Sequence, residues 1–312
     1  MDDVRAVFLG AIRGLLGYAP ITVEPGRMTR FPTSERRGDD AGWCLLFVDK
    51  RAGVFGDHRT GVSTTWISDS GRGLTPFQRA EAARAVRDAW QARLADRQAK
   101  WMRQAASNDR LWSEALPVER NDPVALYLVR RGIDLWPLPT CLRLHRGLPY
   151  FYQGESIGTF AVMLAPLVTI DGRMVGLHRT YLSTDGRKAP VPTAKKLTPA
   201  NGPLAGAAIP LGRPKAGVMG VAEGIETALA ARCITKVPVA AAYCASQVAA
   251  WAWPTGTRRI VVFGDNDPAG RDAAVRLKLR AAAAQIDAEI MMPSTPGDDW
   301  NDVLRASQEA AP

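Results

Sequence analysis

Acidic side chains fall in three short groups near the C-terminal end of this 312-residue sequence: Glu223 in VMGVAEGIETALAA, Asp265 and Asp267 in IVVFGDNDPAG, and Asp298, Asp299 and Asp302 in MMPSTPGDDWNDVL. The first two groups directly follow a short apolar run, and the third follows one after a short Pro- and Gly-containing loop. Carboxylates packed together repel and raise one another's pKa, so they coexist stably when a cation sits between them. A hard ion that takes carboxylate oxygens and keeps several waters suits such a set, which points to Mg²⁺, with Mn²⁺ as an alternative. Gly224 is expected to let the backbone turn tightly into the following helix, Gly264 to lift the acids clear of the strand, and Pro268 suits the first position of a helix, where a missing N–H costs nothing. Glu226 and Asp272 lie in first helical turns, where acids are favoured by the helix dipole as well, so their roles stay open between ligand and dipole complement.

The elements that must present these groups can be read from the pattern around them. Gly217–Ala222, Val237–Ala242, Arg259–Phe263 and Ala288–Met292 read as buried strands, alternating with helices over Glu226–Cys233, Gln247–Trp253 and Ala269–Ala284. A β-α-β-α order implies an α/β fold, here a mostly parallel four-stranded sheet flanked by helices. In open sheets of this kind ligands bind beyond the carboxyl ends of the strands. All three acidic groups fall on that edge.

Upstream, residues 1–67 read as a small β-rich module behind an amphipathic helix over about Val4–Leu16. Residues 68–122 read as a helical connector, with one long charged helix from Thr75, followed by Pro76, to about Ala106. Residues 123–215 read as an α+β subdomain. Asn121-Asp122-Pro123 opens a helix through Arg130 with Gly132 beyond it, and Asp171-Gly172 and Asp185-Gly186 mark turns between strand-like runs. These turns are expected to bring Arg179, Arg187 and Lys188 near one another, with Lys195 and Lys196 following in a Pro-bounded loop. A Gly- and Pro-rich stretch, Asn201–Gly217, reads as a hinge leading into residues 216–312.

The net charge is +9. Residues 123–215 hold 12 Lys and Arg against 4 Asp and Glu, whereas 216–312 hold 9 against 11. A basic segment ahead of a slightly acidic one is expected if the first holds a polyanion and the second holds metal ions. Cys44, Cys141, Cys233 and Cys244 form no C-x-x-C pair, so no zinc site or disulfide framework is expected. No run approaches the roughly 18 uncharged apolar residues of a membrane span, and a cytoplasmic protein is expected. A G-x-x-x-x-G-K-[ST] phosphate loop is absent, so any helicase activity belongs to another polypeptide acting in trans.

With an acid plus Gly after the first strand and D-x-D-x-x-G after a later one, residues 216–305 resemble the Toprim domain of bacterial primases, topoisomerases and some nucleases. The forms AEGIETALAA, GDNDPAGRDAA and DDWNDVL resemble the Toprim primases of phages and plasmids; RFP, GVFGDHRTG and GLHRTYL resemble, more loosely, the regions ahead of Toprim in those proteins. The zinc ligands that open classical bacterial primases have no counterpart here. An N-terminal module that helps choose the template would do so without metal.

The resemblance implies a DNA-directed nucleotidyltransferase that makes short primers on single-stranded DNA from nucleoside triphosphates, with Glu223, Asp265 and Asp267 catalytic. It implies Asp265 and Asp267 as the principal Mg²⁺ ligands, with Asp299 as a third acid and Asp298 or Asp302 as alternatives. Glu223 either completes the metal site or serves as general base. Arg179, Arg187, Lys188, Lys195 and Lys196 would hold template and triphosphate. Two other readings use the same residues: a Toprim nuclease, in which water replaces the attacking hydroxyl, and a non-catalytic DNA-binding replication factor. A topoisomerase would need further domains and a nucleophilic tyrosine in a motif that is not evident here.

Overall fold

The computed structural model describes residues 3–35, 39–57, 59–68 and 76–310, with only part of the side chains over 76–93. His58 and Thr75 of the sequence reading lie outside the described residues. The chain divides into two compact units, Met1–Ala95 and Asp96–Pro312.

In the first unit α1 (Val4–Leu16) starts where the Asp3 carboxylate accepts the Arg5 N–H and ends at Gly17 in the left-handed region. The strands β1 (Met28–Phe31), β2 (Gly42–Leu46), β3 (Ala52–Asp57) and β4 (Ser63–Ile67) form an antiparallel meander. Phe8 and Ile12 of the helix pack with Phe31, Cys44, Leu46 and Phe55 of the strands. The Gly-separated apolar runs of the sequence thus become the expected small β module.

The long helix α2 (Pro76–Ser113) runs from the first unit into the second and ends seven residues beyond the expected Ala106. Tertiary contacts account for the extension. Leu111 and Trp112 pack against a buried cluster around Tyr150 and Tyr181, the Arg143 guanidinium lies 4.3 Å from the Trp112 ring centre, and buried Asn108 bonds the Asn201 side chain at 2.8 Å.

In the second unit β5 (Leu116–Pro117), β6 (Arg143–Tyr152), β7 (Glu155–Val168), β8 (Met174–Leu182) and β9 (Lys195–Leu197) form one antiparallel sheet in chain order. Alternation along β7 sends Ala161, Met163, Ala165 and Leu167 into the largest core, and Val162 and Leu164 into the cluster on the opposite face. The short helix α3 (Pro123–Arg130) is capped by Asp122, whose carboxylate accepts the Val124 and Ala125 N–H groups, and Gly132 follows with φ 77°.

Asn201–Gly217 differs from the expected hinge. Ala207, Ile209 and Leu211 are buried in the core shared by both halves of this unit. The Val168 N–H donates to Ala208 at 2.9 Å and the Ile209 N–H to Ala241 at 2.8 Å, so the segment stitches the antiparallel sheet to the next one. A short apolar run hidden among Gly and Pro makes it a buried bridge.

Beyond it lie β10 (Val218–Ala222), α4 (Ile225–Thr235), β11 (Val239–Ala241), α5 (Ala245–Ala250), β12 (Arg259–Phe263), α6 (Pro268–Ala283), β13 (Asp287–Met291) and α7 (Trp300–Glu309). All strand pairs are parallel, in the order β11-β10-β12-β13. Val261 and Phe263 face α4 and α7, while Ile260 and Val262 face α5 and α6. Each such fully buried side chain contributes about 1.5–3 kcal/mol. The connections diverge to opposite faces between β10 and β12, which makes the crevice at their carboxyl ends the topological switch point of the sheet.

Candidate active site

Two buried strands deliver the first acids to that crevice. Glu223 leaves β10 one residue after Ala222, and Asp265 leaves β12 two residues after Phe263. The loops beyond β12 and β13 are tied together: the Asn266 N–H donates to Asp298 at 3.1 Å and the Gly297 N–H to Asn266 at 2.9 Å. The Asn266 side chain adds a bond to Pro293 at 2.9 Å. This lacing brings Asp299 beside Asp265. Glu223, Asp265 and Asp299 line one cavity of about 200 Å³ together with His178, Lys195, Thr227 and Tyr243. That space is ample for a hydrated ion.

The glycine of the D-x-D-x-x-G pattern has a definite task here. A Cβ on Gly270 would lie 2.4 Å from the Asp265 carbonyl oxygen, so only glycine lets the first turn of α6 close over that backbone. Gly224, by contrast, has an ordinary extended backbone at φ −95° and does not supply the unusual turn expected of it.

Electrostatics in the cavity are dominated by burial and mutual repulsion. Burial, then the charges of Glu223, Asp299 and Asp267, push the Asp265 carboxyl up to about 7. Burial and the Asp267 charge also raise Glu223. The buried Asp265 Oδ1 has no hydrogen-bond partner among the described residues. An orphaned carboxylate oxygen among like charges fits a divalent cation in chemistry. No group of three His, Cys, Asp or Glu side chains among the described residues converges as a ready coordination sphere. The acids therefore share a cavity without meeting at one point.

The remaining predicted residues divide by position. Asp267 caps α6, accepting the Gly270 N–H at 2.7 Å. One Asp299 oxygen accepts the Asn301 and Asp302 N–H groups, and Asp302 accepts the Asp299 N–H at 3.1 Å, a capping box that keeps Asp302 off the cavity wall. Lys195 reaches the cavity. Lys188 is near enough to Lys195, Glu226 and Asp299 to feel their charges, and burial followed by Lys195 lowers its pKa. Arg179 and Lys196 lie on the other face of the sheet: Arg179 donates to Leu197 at 2.9 Å, and the Lys196 ammonium sits 3.7 Å from the Tyr150 ring centre and bonds the Phe151 carbonyl. Arg187 pairs with Asp185 at 3.2 Å on the surface.

Glu226 is the residue the sequence left ambiguous and the structure places most firmly. It is 3% exposed. Its carboxylate accepts the Lys195 ammonium at 2.7 Å and the Tyr127 hydroxyl at 2.5 Å. Burial favours its neutral form, but Lys195 and Tyr127 outweigh that and hold it down at about 2. This ion pair fixes Lys195 across the cavity from the acids. Tyr127 and His178, which sequence reasoning also missed, arrive from α3 and β8, elements whose apolar patterns mark them as core.

Residues 218–310 match the family model described as Toprim domain. Residues 102–211 match the model described as "Domain of unknown function (DUF7146)". No curated protein sequence matches the chain. Among solved structures the chain is similar to the DnaG catalytic core, with 18% identity over 48% of this chain and 51% of that one and a TM-score of 0.36. It is similar to the DnaG primase catalytic domain bound to ssDNA, with 14% identity over 69% and 81% and a TM-score of 0.46. The zinc-binding and RNA polymerase domains of Aquifex aeolicus primase match at 14% identity over 98% and 81%, with a TM-score of 0.41. The chain spans about half the length of the first of these.

Proposed function

We propose that this Toprim-containing chain is a DNA primase, a Mg²⁺-dependent nucleotidyltransferase that builds short oligonucleotides on single-stranded DNA from nucleoside triphosphates. The observation that carries this reading is the gathering of Glu223, Asp265 and Asp299, from three separate strand ends, around one cavity that Lys195 also lines. The motifs AEGIETALAA, GDNDPAGRDAA and DDWNDVL support service to a phage or plasmid-type element, in the cytoplasm and with any helicase supplied in trans. Among the described residues no helix is long and apolar enough to cross a membrane.

Asp265 and Asp299 would hold the cation, with Asp267 adding negative charge and Glu223 either completing the site or accepting the proton of the attacking hydroxyl. When bound, a divalent cation supplies the positive charge that offsets the triphosphate and stabilises the entering and leaving oxygens. The raised pKa of Glu223 suits proton acceptance, since a base works best when its pKa lies nearer the working pH. Lys195 meets the incoming phosphates, and Lys188 at the cavity's edge extends that positive rim. Arg179, Arg187 and Lys196, outside the cavity, are assigned to the template strand.

The test is oligonucleotide synthesis from ribonucleotides on single-stranded DNA with Mg²⁺. Asp265→Ala and Asp299→Asn, the latter keeping the cap of α7, should each lower it by at least about a hundredfold, the usual scale for losing charge stabilisation in a site. Synthesis at the parental rate would remove the metal assignment. Cleavage of labelled DNA without nucleotides, in place of synthesis, would transfer the same residues to a nuclease.

A further inference from the structure

One wall of the acid-lined cavity is a residue that the proposed chemistry has not used. His178 lies in the middle of β8, paired with Ala165 on β7 and Leu197 on β9. It is 8% exposed and lines the cavity with Glu223, Asp265, Asp299 and Lys195. Its buried Nδ1 has no hydrogen-bond partner among the described residues. Thr180, two residues along and therefore on the same face of the strand, is also fully buried with an unpartnered Oγ1. Thr180 does not line the cavity, but His178 does, and an apolar side chain there would avoid the penalty of an orphaned polar group, so the imidazole points to a ligand that satisfies it.

The chemistry of the cavity narrows what that ligand is. Its carboxylates already provide the hard oxygens a divalent cation takes, so an imidazole is not needed for the ion. A cavity of about 200 Å³ lined by acids, a lysine and an imidazole suits a phosphate beside the ion. Burial lowers His178 to about 4, with Glu226 opposing and Lys195 and Arg179 reinforcing, so the ring is neutral at physiological pH and carries one N–H. A neutral donor can approach a phosphate oxygen without competing with a cation for the acids.

We propose that His178 donates a hydrogen bond to a phosphoryl oxygen of a nucleoside triphosphate seated in the cavity, beside the Lys195 ammonium. This rests on the nucleotidyl-transfer reading and adds to it the residue that positions the phosphate. The test compares the parent with His178→Leu, which lacks a donor, and His178→Asn, whose amide N–H takes the place of Nδ1. Mn²⁺ binding is measured first by the electron paramagnetic resonance signal of the free ion, and ATP is then titrated into the Mn²⁺-loaded protein by calorimetry. All three proteins should bind Mn²⁺ alike. His178→Leu should bind ATP about tenfold or more weakly, the scale of one hydrogen bond to a charged group, with His178→Asn within about threefold of the parent. Should His178→Leu fail to fold by thermal melting, His178→Phe, which fills the place of the ring without a donor, takes its place with the same expectation.

Parental ATP affinity in the donor-free variant overturns the assignment, and so does loss of Mn²⁺ binding, which would make the imidazole a ligand of the ion. A parent that takes up Mn²⁺ but no ATP overturns the nucleotide-transfer reading and this assignment with it. A parent that binds both, beside an unaffected His178→Leu, removes the histidine alone.

Discussion

At Asp265 a proton and a cation compete for the same oxygens. Because burial and its acidic neighbours raise that carboxyl to about 7, cation affinity should strengthen as pH rises through 7 and weaken below it. The stability of the cation-free protein runs the other way. A carboxyl raised on folding holds its proton more tightly in the folded chain, so its stabilising contribution is complete below about 3.8 and is lost as pH rises through about 7. Asp265→Asn removes the repulsive charge. In cation-free buffer at pH 8 it should therefore raise Tm by a few degrees, on the order of 1 kcal/mol, with little change at pH 5. It should also abolish the rise in Tm that Mg²⁺ gives the parent. Thermal melts at the two pH values, with and without Mg²⁺, check both signs, and a variant that melts with the parent throughout would show that Asp265 is not the strained acid of the site.

Between elements, the Lys195–Glu226 ion pair joins β9 to the first turn of α4, and the Tyr127 hydroxyl adds α3. Lys195→Met would leave Glu226 buried beside Tyr127 without its cation, at a cost of about 2–3 kcal/mol, below the full value for a buried pair because the lysine side chain is 39% exposed. Lys195→Met combined with Glu226→Leu should recover most of that stability in urea denaturation yet leave primer synthesis as low as in the single variant. Recovery of synthesis along with stability would reduce the lysine to a structural role. The strands under this pair were legible in the sequence. Val218–Ala222, Arg259–Phe263 and Asp287–Met291 stand within about one residue of expectation, because buried parallel strands are continuous apolar runs bounded by Gly and loop residues. The end of α2 and the Asn201–Gly217 bridge were not, because distant partners decide them: Arg143 for Trp112, and Ala241 for Ile209. Glu226 stayed ambiguous because a helix dipole explains a first-turn acid as well as a buried partner does. Lys195 and Lys196 look equivalent in sequence, but strand alternation sends one to the cavity and the other over Tyr150.

Over the whole molecule, the proposed function together with the +9 net charge predicts salt-sensitive binding to single-stranded DNA. Affinity for an oligo-dT strand, followed by fluorescence anisotropy, should fall with log salt by about 0.7 for each phosphate neutralised. Lys196→Ala and Arg187→Ala should each reduce that slope by about 0.7, whereas Asp265→Ala should leave it near the parental value. An unchanged slope in both cation variants would move the template elsewhere on the surface. Both the template and the triphosphate matter to catalysis only if the strand-end acids of the Toprim domain meet around a shared cation. Crystals soaked with Mn²⁺ and a non-hydrolysable nucleoside triphosphate test that directly through the anomalous signal of manganese. The expected result is a peak in the cavity lined by Glu223, Asp265 and Asp299 with the triphosphate against it; manganese bound elsewhere, with that cavity empty, would contradict the enzyme proposed here.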